Sequence, residues 1–411
     1  MNRFVLLVAS IAIAAVLNGC GGKGSPSDAP PDFTAIPGDG VVTLAWTAAP
    51  DVEYWLFYAP GSSVTTSNWS TIGGRAIINA TSPYTITGLT NNSAYSFTMN
   101  GRKSGGPGGP GAPTQVVSPR FAGTKWTVGT PLGTGKLSGI GALSAAQVIV
   151  GSGGAIFAGA NGTTAVAQTN PAAPADLNAL SYGGLGFAAV GAAGTIVFST
   201  DTTTWTTRTS GSVADLYPVT SPGTGAFAAF GAAGTTLFSA DGTTWTTATS
   251  ATTQHLYAAA YGVGRYVAVG AGGTIVTSTN GTTWQAVASN TTSDLRAIAL
   301  GVFLTTTGTG VTAVTTTTNI FVAMGAAGTL VTSSDGLTWT LRSPISPNTM
   351  NAVTFGGQFV SVGNAGSIFT SLDGLTWTAQ VSGTTNNLNA LVRTASGYTA
   401  VGAAGTVLTS F

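Results

Sequence analysis

The sequence predicts an all-β chain in two domains, of which the larger is a ring of repeated four-stranded sheets. Three observations lead to this fold class. Glycine-rich turns recur about every forty residues through residues 121–411. Short runs of alternating apolar and polar residues, separated by turn residues, fill residues 32–119. Beyond the N-terminus no run reaches the roughly 18 apolar residues of a membrane-spanning helix, although 43% of the residues are hydrophobic.

The composition excludes several classes of function. The chain has 13 Lys and Arg against 12 Asp and Glu, so it has no basic field for holding nucleic acid. Cys20, His255 and Glu53 are each the only residue of their type. A disulfide within the chain and a Cys/His zinc site are therefore excluded. We expect no metal and no cofactor.

The N-terminus has the pattern of an exported protein. A short basic start precedes fourteen apolar residues, 4–17, which are too few to span a bilayer and match the core of a signal peptide. The run ends in Leu17-Asn18-Gly19-Cys20, which resembles the lipobox of bacterial lipoproteins. The resemblance implies a signal peptide over residues 1–19 and acyl chains on Cys20. It also implies a place in the cell envelope, in the outer membrane of a Gram-negative cell. Residues 20–31 are predicted to be a flexible tether.

Residues 32–119 are predicted to form a β-sandwich. Strands are expected at residues 41–46, 53–58, 84–89, 95–99 and 114–117. The strand with Trp46, the spacing from Leu89 to Tyr95 and the Gly/Pro loop 104–113 stand in the order found in fibronectin type III domains, which this segment resembles. The resemblance implies a spacer or docking module and gives Tyr95 a structural role.

Residues 121–411 contain seven copies of one unit. A Gly-x-x-Gly turn recurs at intervals of 40, 40, 39, 55, 38 and 39 residues, at Gly151, Gly191, Gly231, Gly270, Gly325, Gly363 and Gly402. Four short strands per unit of about forty residues indicate a seven-bladed β-propeller. The one long interval contains a Thr-rich insert, residues 301–318, which is either an extended hairpin or a slack low-complexity segment.

The ring is predicted to close with the start of the domain. Trp126 has the sequence context of a fourth-strand tryptophan but precedes any first strand, and the last unit ends at Phe411 without a fourth strand. Residues 124–130 should therefore complete the last blade. An outer-membrane β-barrel is the main rival, but it needs strands of about ten residues, and these runs are shorter.

A polar turn before most fourth strands resembles a shortened Asp-box of sialidase-type propellers. The full box has one more residue between Asp and Gly. The whole pattern also resembles photosystem II assembly-factor propellers and their bacterial relatives. These resemblances imply structural roles for Asp201, Asp241, Asn280, Asp335 and Asp373, and for Trp205, Trp245, Trp284, Trp339 and Trp377.

Two polar columns stand where the first strands begin. Because first strands line the axis of a propeller, these columns should surround its opening on one face. They are either strand-entry caps or a binding rim. The first column is Lys136, Asp176, Asp215, His255, Asp294, Thr349 and Asn387. The second is Ser138, Asn178, Tyr217, Tyr257, Arg296, Asn351 and Asn389.

These residues support three hypotheses of function. The first is a non-catalytic, lipid-anchored monomer whose rim binds an envelope protein or a glycan. The second is a sialidase-like or other glycoside hydrolase, although the propeller contains no Glu and its arginines are scattered through the repeat. The third is an assembly factor for a membrane complex. The first is the interpretation that the sequence favours.

Overall fold

The chain folds into two compact all-β units. The computed structural model describes residues 24–143, 146–307, 314–395 and 397–411, so Cys20 and the predicted signal peptide lie outside the described residues. The boundary between the units lies between Arg120 and Phe121. The chain is 48% strand and 6% helical, which confirms the predicted all-β class. The described residues contain no helix long and apolar enough to cross a bilayer.

The first unit consists of two sheets around one apolar core. The sheet with the order β1-β7-β4-β5 also carries β8 on the edge of β7, and the second sheet has the order β2-β3-β6. Leu44 and Ile86 of the small sheet pack in one cluster with Leu56 and Phe97 of the large sheet. The strands are β1 (Ser25–Ser27), β2 (Thr34–Pro37), β3 (Val42–Ala45), β4 (Glu53–Pro60), β5 (Arg75–Ala80), β6 (Tyr84–Ile86), β7 (Tyr95–Lys103) and β8 (Gln115–Val117).

The predicted flexible tether, residues 20–31, is shorter in the structure. Ser25–Ser27 form β1, which pairs antiparallel with Gly101 to Lys103 of β7. Gly109 lies against this strand so closely that a Cβ there would be 2.0 Å from the Ser27 carbonyl oxygen. Composition predicted flexibility because Gly, Ser and Pro offer little side-chain packing, whereas this strand is held by backbone pairing.

The second unit consists of seven four-stranded antiparallel sheets, here called blades 1–7. The strands of blades 1–4 are β10 (Leu137–Leu143), β11 (Ala146–Gly151), β12 (Ile156–Gly159), β13 (Val166–Ala167); β14 (Leu177–Tyr182), β15 (Phe187–Gly191), β16 (Ile196–Ser199), β17 (Thr206–Arg208); β18 (Leu216–Thr220), β19 (Phe227–Gly231), β20 (Thr236–Ser239), β21 (Thr246–Thr247); β22 (Leu256–Gly262), β23 (Arg265–Gly270), β24 (Ile275–Ser278) and β25 (Gln285–Val287). Those of blades 5–7 are β26 (Leu295–Thr307), β27 (Val314–Gly325), β28 (Leu330–Ser333), β29 (Thr340–Arg342); β30 (Met350–Phe355), β31 (Phe359–Gly363), β32 (Ile368–Ser371), β33 (Thr378–Gln380); β34 (Leu388–Thr394), β35 (Gly397–Gly402), β36 (Val407–Ser410) and β9 (Thr127–Val128).

The blades form a closed ring. Each first strand packs against the first strand of the next blade, and β34 of blade 7 packs against β10 of blade 1. Blade 7 takes its fourth strand from the start of the unit, where Thr127 and Val128 pair with Thr409 and Leu408. Trp126 packs in one core with Leu408. The two ends of the unit are thus joined by hydrogen bonds within one sheet.

The apolar surface lies between neighbouring blades, which explains the scarcity of charge. Every residue of β15 in blade 2 and of β19 in blade 3 is buried. Val190 and Phe198 of blade 2 share one core with Phe227 and Trp245 of blade 3. A sheet covered on both faces needs near-continuous apolar strands, whereas turns can be built from Gly, Thr and Asn.

The described residues of the Thr-rich insert, 301–307 and 314–318, form the two paired strands of an extended hairpin. Strands β26 and β27 pair without a break from Ala297 opposite Met324 to Thr307 opposite Val314. Phe303 braces the hairpin against blade 6, with ring centroids 5.0 Å from Phe355 and 6.2 Å from Phe359. Because it joins a first to a second strand, it projects from the face opposite to the starts of the first strands.

The turn between the second and third strands imposes an unusual backbone. It is a three-residue 3₁₀ turn whose middle residue has a positive φ, for example 51° at Ala193 and 59° at Gly272. The middle residue is Ala in five of the seven blades, at Ala193, Ala233, Ala327, Ala365 and Ala404. An L-residue in this region costs about 1–2 kcal/mol, so the repeat retains a conformation that the side chain opposes.

We expect Ala193→Gly to raise the free energy of unfolding by up to about 1 kcal/mol, because glycine adopts this φ without strain. The matched change Gly272→Ala should lower it by a similar amount, since no atom lies within 4 Å of a Cβ built there and backbone strain is the main cost. Denaturant unfolding of the full chain, followed by tryptophan fluorescence, measures both. Shifts in the same direction would contradict the argument.

Candidate functional site

The first polar column ties four of the seven blades to the blade before them. Asp and Asn side chains at the starts of first strands accept the backbone N–H of the positive-φ residue in the preceding blade's turn. The four bonds are Gly153 N to Asp176 Oδ1 (2.7 Å), Ala193 N to Asp215 Oδ1 (2.9 Å), Gly272 N to Asp294 Oδ1 (3.0 Å) and Ala365 N to Asn387 Oδ1 (2.9 Å). Each bond satisfies the backbone N–H of the positive-φ residue, which faces the neighbouring blade.

The second polar column ties blades together in the other direction. Asn178 donates from Nδ2 to the Leu216 carbonyl of the next blade at 2.8 Å, and Asn351 donates to the Leu388 carbonyl at 2.9 Å. Asn389 donates to the Leu137 carbonyl at 2.9 Å and so joins blade 7 to blade 1. We call the bonds of both columns the inter-blade belt; each contributes about 1 kcal/mol.

The belt includes part of the predicted binding rim. Asp176, Asn178, Asn351 and Asn389 were predicted as ligand contacts, but each side chain is hydrogen-bonded to the backbone of a neighbouring blade. An Asn or Asp at a strand entry finds backbone donors and acceptors within reach, and a single sequence does not show which ones. These bonds give the four residues a structural role. Asp215 and Asp294 make the same bond as Asp176, but they stand beside the aromatic and cationic residues of blades 3–5.

Three adjacent blades depart from the belt and bring their side chains together. The second column has Asn in blades 2, 6 and 7 and Ser138 in blade 1, whereas blades 3–5 have Tyr217, Tyr257 and Arg296. The first column has His255 in blade 4. The ring centroids of Tyr217 and Tyr257 are 5.7 Å apart, and those of Tyr217 and His255 are 6.2 Å apart. His255 stacks on Tyr257 at 6.1 Å. We call these four residues, together with Asp215 and Asp294 beside them, the rim cluster.

A cation and a carboxylate complete the cluster on the blade 5 side. The Arg296 guanidinium lies 4.6 Å from the ring centroid of Tyr257, in cation–π geometry. Its Nη2 is 3.0 Å from Asp294 Oδ2, with side-chain exposures of 41% for Arg296 and 33% for Asp294. At this exposure the ion pair contributes little to stability.

The environment of Tyr217 is partly desolvated and negative. Burial raises the pKa of the Tyr217 phenol above its ordinary value, and the nearby Asp215 carboxylate and Tyr257 raise it further. His255 and Asp215 are exposed, and the two tyrosines are half-buried. Rigid aromatic rings that are partly exposed to solvent and lie next to charged groups are suited to the recognition of another molecule.

The groups that the cluster offers can be named. Among the described residues there is no group of three or more His, Cys, Asp and Glu that could hold a metal ion. The carboxylates Asp215 and Asp294 each use one oxygen to hold a backbone N–H. The rim cluster therefore offers aromatic faces, one ion pair and one further carboxylate.

The Asp-box residues lie in turns at the opposite end of the blades. Asp241 Oδ1 accepts the N–H groups of Thr243 at 2.8 Å and Thr244 at 2.9 Å, and Asn280 Oδ1 accepts the equivalent two at 3.0 and 2.9 Å. The same pair of bonds forms at Asp201, Asp335 and Asp373. Each acid or amide thus closes its own turn, a structural role.

The box tryptophans pack between blades. The indole Nε1 donates to the carbonyl three residues earlier in Trp205, Trp245, Trp284 and Trp377, at 3.1 to 3.2 Å. Trp339 is also buried, but its Nε1 has no partner among the described residues. Blade 1 has a sixth box that the sequence analysis missed: Asn161 Oδ1 accepts the N–H groups of Thr163 and Thr164. The sequence Asn-Gly-Thr-Thr at residues 161–164 is identical to that of the box at residues 280–283 in blade 4, and this identity could have revealed it.

Comparison with solved structures identifies the fold of the chain as that of β-propellers. A structure described as YCF48 bound to D1 peptide matches with a TM-score of 0.55 and 17% identity over 69% of this chain and 94% of that one. YCF48 from Cyanidioschyzon merolae matches with a TM-score of 0.52 and 18% identity over 69% and 98%. Virginiamycin B lyase from Staphylococcus aureus matches with a TM-score of 0.57 and 10% identity over 70% and 99%.

Identities this low show a shared fold and nothing finer. No family model matches the chain, and no curated protein matches it in sequence. The propeller prediction is confirmed by these neighbours, which include assembly factors and an enzyme.

The box acids predict a pH dependence of stability. Hydrogen bonds from the Thr243 side chain and then from the Thr244 and Thr243 N–H groups lower the pKa of Asp241, and the Thr338 and Leu337 N–H groups lower the pKa of Asp335. A carboxylate whose pKa is lower in the folded state stabilises the fold above its unfolded pKa of about 4, and that stability is lost as the pH falls. We expect the propeller to lose stability below about pH 4.

Asn280 supplies the matched variant, because an amide makes the same two turn bonds without titrating. Changing Asp201, Asp241, Asp335 and Asp373 to Asn should flatten the loss of stability between about pH 4 and pH 2. Thermal unfolding at a series of pH values, compared with wild type, measures it. An equally steep loss in the Asn variant would contradict the role of these acids.

Proposed function

We propose that this chain is a non-catalytic binding protein of the cell envelope whose propeller binds a protein partner through the rim cluster. The observation that carries the proposal is the local break in the belt. Blades 3–5 lack the Asn that joins blades 2, 6 and 7 to the next blade, and they place Tyr217, Tyr257 and Arg296 in contact at the surface. A repeat keeps what its fold needs, so a contiguous departure from it points to function.

The binding of a protein is supported by the chemistry of the cluster and by precedent in the fold. Tyrosine and arginine are the side chains most often found as anchors of protein interfaces. One of the similar propellers, YCF48, is described as bound to a D1 peptide. The interpretation as a hydrolase lacks a positioned acid and base, because the propeller contains no Glu and its rim acids Asp176, Asp215 and Asp294 hold backbone groups.

We place the protein in the envelope, held by acyl chains on Cys20 and presented by the first unit as a spacer of the fibronectin type III kind. The lipobox-like sequence supports the anchor. The spacer is supported by two sheets that share one core and by the Tyr95 hydroxyl, which accepts the Thr90 N–H at 3.1 Å in the manner of a tyrosine corner. A monomer is consistent with a ring that is closed within one chain.

An assembly factor for a membrane complex is the second candidate. It is a special case of the same binding function, in which the partner is an unassembled subunit. The fold shared with YCF48 supports it only at the level of architecture.

The proposed function predicts that the double variant Tyr257→Asn, Arg296→Asn loses its partner. Crosslinking of intact envelopes, followed by purification of the chain and mass spectrometry, should recover a protein with wild type and lose it with the double variant. Asp176→Asn, which changes charge at the same face outside the rim cluster, is the control and should retain the partner. Recovery of the same protein at the same yield from the double variant would overturn the proposal.

The anchor predicts a separate result. Cys20→Ser should move the protein from the membrane fraction to the soluble fraction, because the acyl chains supply the membrane affinity. Gly21→Ala, which keeps the cysteine, serves as the control. If Cys20→Ser stays in the membrane fraction, the lipid anchor is wrong, and the proposal for the rim cluster is unaffected.

A further inference from the structure

The charges of the rim cluster indicate which kind of peptide it binds. This inference rests on the proposed function, since it assumes that the rim cluster is the binding face. It concerns the charge of the partner segment that the rim cluster attracts, which can be acidic, neutral or basic.

Arg296 is already neutralised within the chain. Its Nη2 is 3.0 Å from Asp294 Oδ2, and its guanidinium lies on the ring of Tyr257 at 4.6 Å. An acidic ligand would have to compete with Asp294 for this cation. The one cation of the cluster is therefore a weak attractor for an incoming carboxylate.

Asp215 is the carboxylate with one oxygen still able to accept a hydrogen bond from a ligand. Its Oδ1 accepts the Ala193 N–H at 2.9 Å, whereas its Oδ2 receives no hydrogen bond from the residues that the structure describes. The side chain is exposed and stands two residues before Tyr217, whose titration its charge affects. A carboxylate next to an aromatic face is a suitable site for a cation.

The charges of blades 3–5 sum to one negative unit. Their first and second columns contain two carboxylates, Asp215 and Asp294, against the one guanidinium of Arg296, with His255 counted as neutral. The faces of the aromatic rings are also negative, because of the ring quadrupole. A cationic group approaching Tyr217 therefore meets a favourable field from both sources.

The chain itself contains one cation that is held by a ring and a carboxylate. Arg296 stacks on Tyr257 of blade 4 and pairs with Asp294 of its own blade 5. Tyr217 and Asp215 also combine a ring with a carboxylate, within blade 3, and no cation of the described residues pairs with this carboxylate. We propose that the partner presents an Arg or Lys side chain that docks on the Tyr217 ring beside the Asp215 carboxylate.

The test uses one twelve-residue Gly/Ser-rich peptide with a fluorescent label in three versions, which contain two Arg, two citrulline or two Glu. Citrulline keeps the shape of arginine without its charge. Fluorescence anisotropy with the full chain should show the Arg version binding about tenfold tighter than the citrulline and Glu versions. Binding should weaken as salt is raised, because the contact is electrostatic.

Two variants identify the contacts without disturbing the fold. Asp215→Asn should weaken binding of the Arg peptide about five- to tenfold. It retains the bond to the turn, because Asn387 makes that bond in blade 7. Tyr217→Asn should do the same, since Asn stands at this position in three blades. Asp176→Asn is the control and should change binding less than about twofold.

Three outcomes would overturn the inference: tightest binding of the Glu version, equal binding of the Arg and citrulline versions, or no binding of any version. In each case the proposed function stands if the envelope partner still depends on Tyr257 and Arg296. If the partner is also recovered from that double variant, the proposed function fails with it.

Discussion

The structure depends on hydrogen bonds that cross from one blade to the next at the starts of the first strands. A closed ring of sheets has no covalent link between neighbouring blades apart from the loops, and its apolar contacts alone do not fix how one blade is set against another. The belt supplies that register at five of the seven junctions between blades, as far as the described residues show. Its acceptors hold the N–H of a residue in a left-handed conformation, as Asp215 does for Ala193. Its donors hold the carbonyl that opens the next blade, as Asn178 does for Leu216.

The belt also explains what a blade loses when another residue replaces the Asn of the second column. A blade that replaces its Asn by a tyrosine or an arginine gives up a bond of about 1 kcal/mol and exposes a group that recognises other molecules. Blades 3–5 make this exchange side by side, at Tyr217, Tyr257 and Arg296. Natural proteins commonly give up stability where they bind, so the weakest part of the belt is where the account places function.

Sequence reasoning predicted the parts that repeat. The all-β class, the seven blades and the box turns follow from periodic glycines and from Asp-Gly-x-Thr-Trp, because a turn requirement recurs in every copy. It did not predict that Asn389 bridges blade 7 to blade 1, since the acceptor lies 252 residues away. It also missed β1, whose Ser-Pro-Ser sequence has no apolar face and is held by backbone pairing with β7. Both omissions concern backbone partners that composition and spacing do not reveal.

The measurement that tests this account most directly is the thermal unfolding of the triple variant Tyr217→Asn, Tyr257→Asn, Arg296→Asn. The account predicts a higher unfolding temperature than wild type, because each change restores a belt donor, to the carbonyls of Leu256, Leu295 and Met350. An unchanged or lower unfolding temperature, with the β-sheet content retained, would mean that these residues stabilise the ring themselves, and it would contradict the claim that blades 3–5 give up stability for binding.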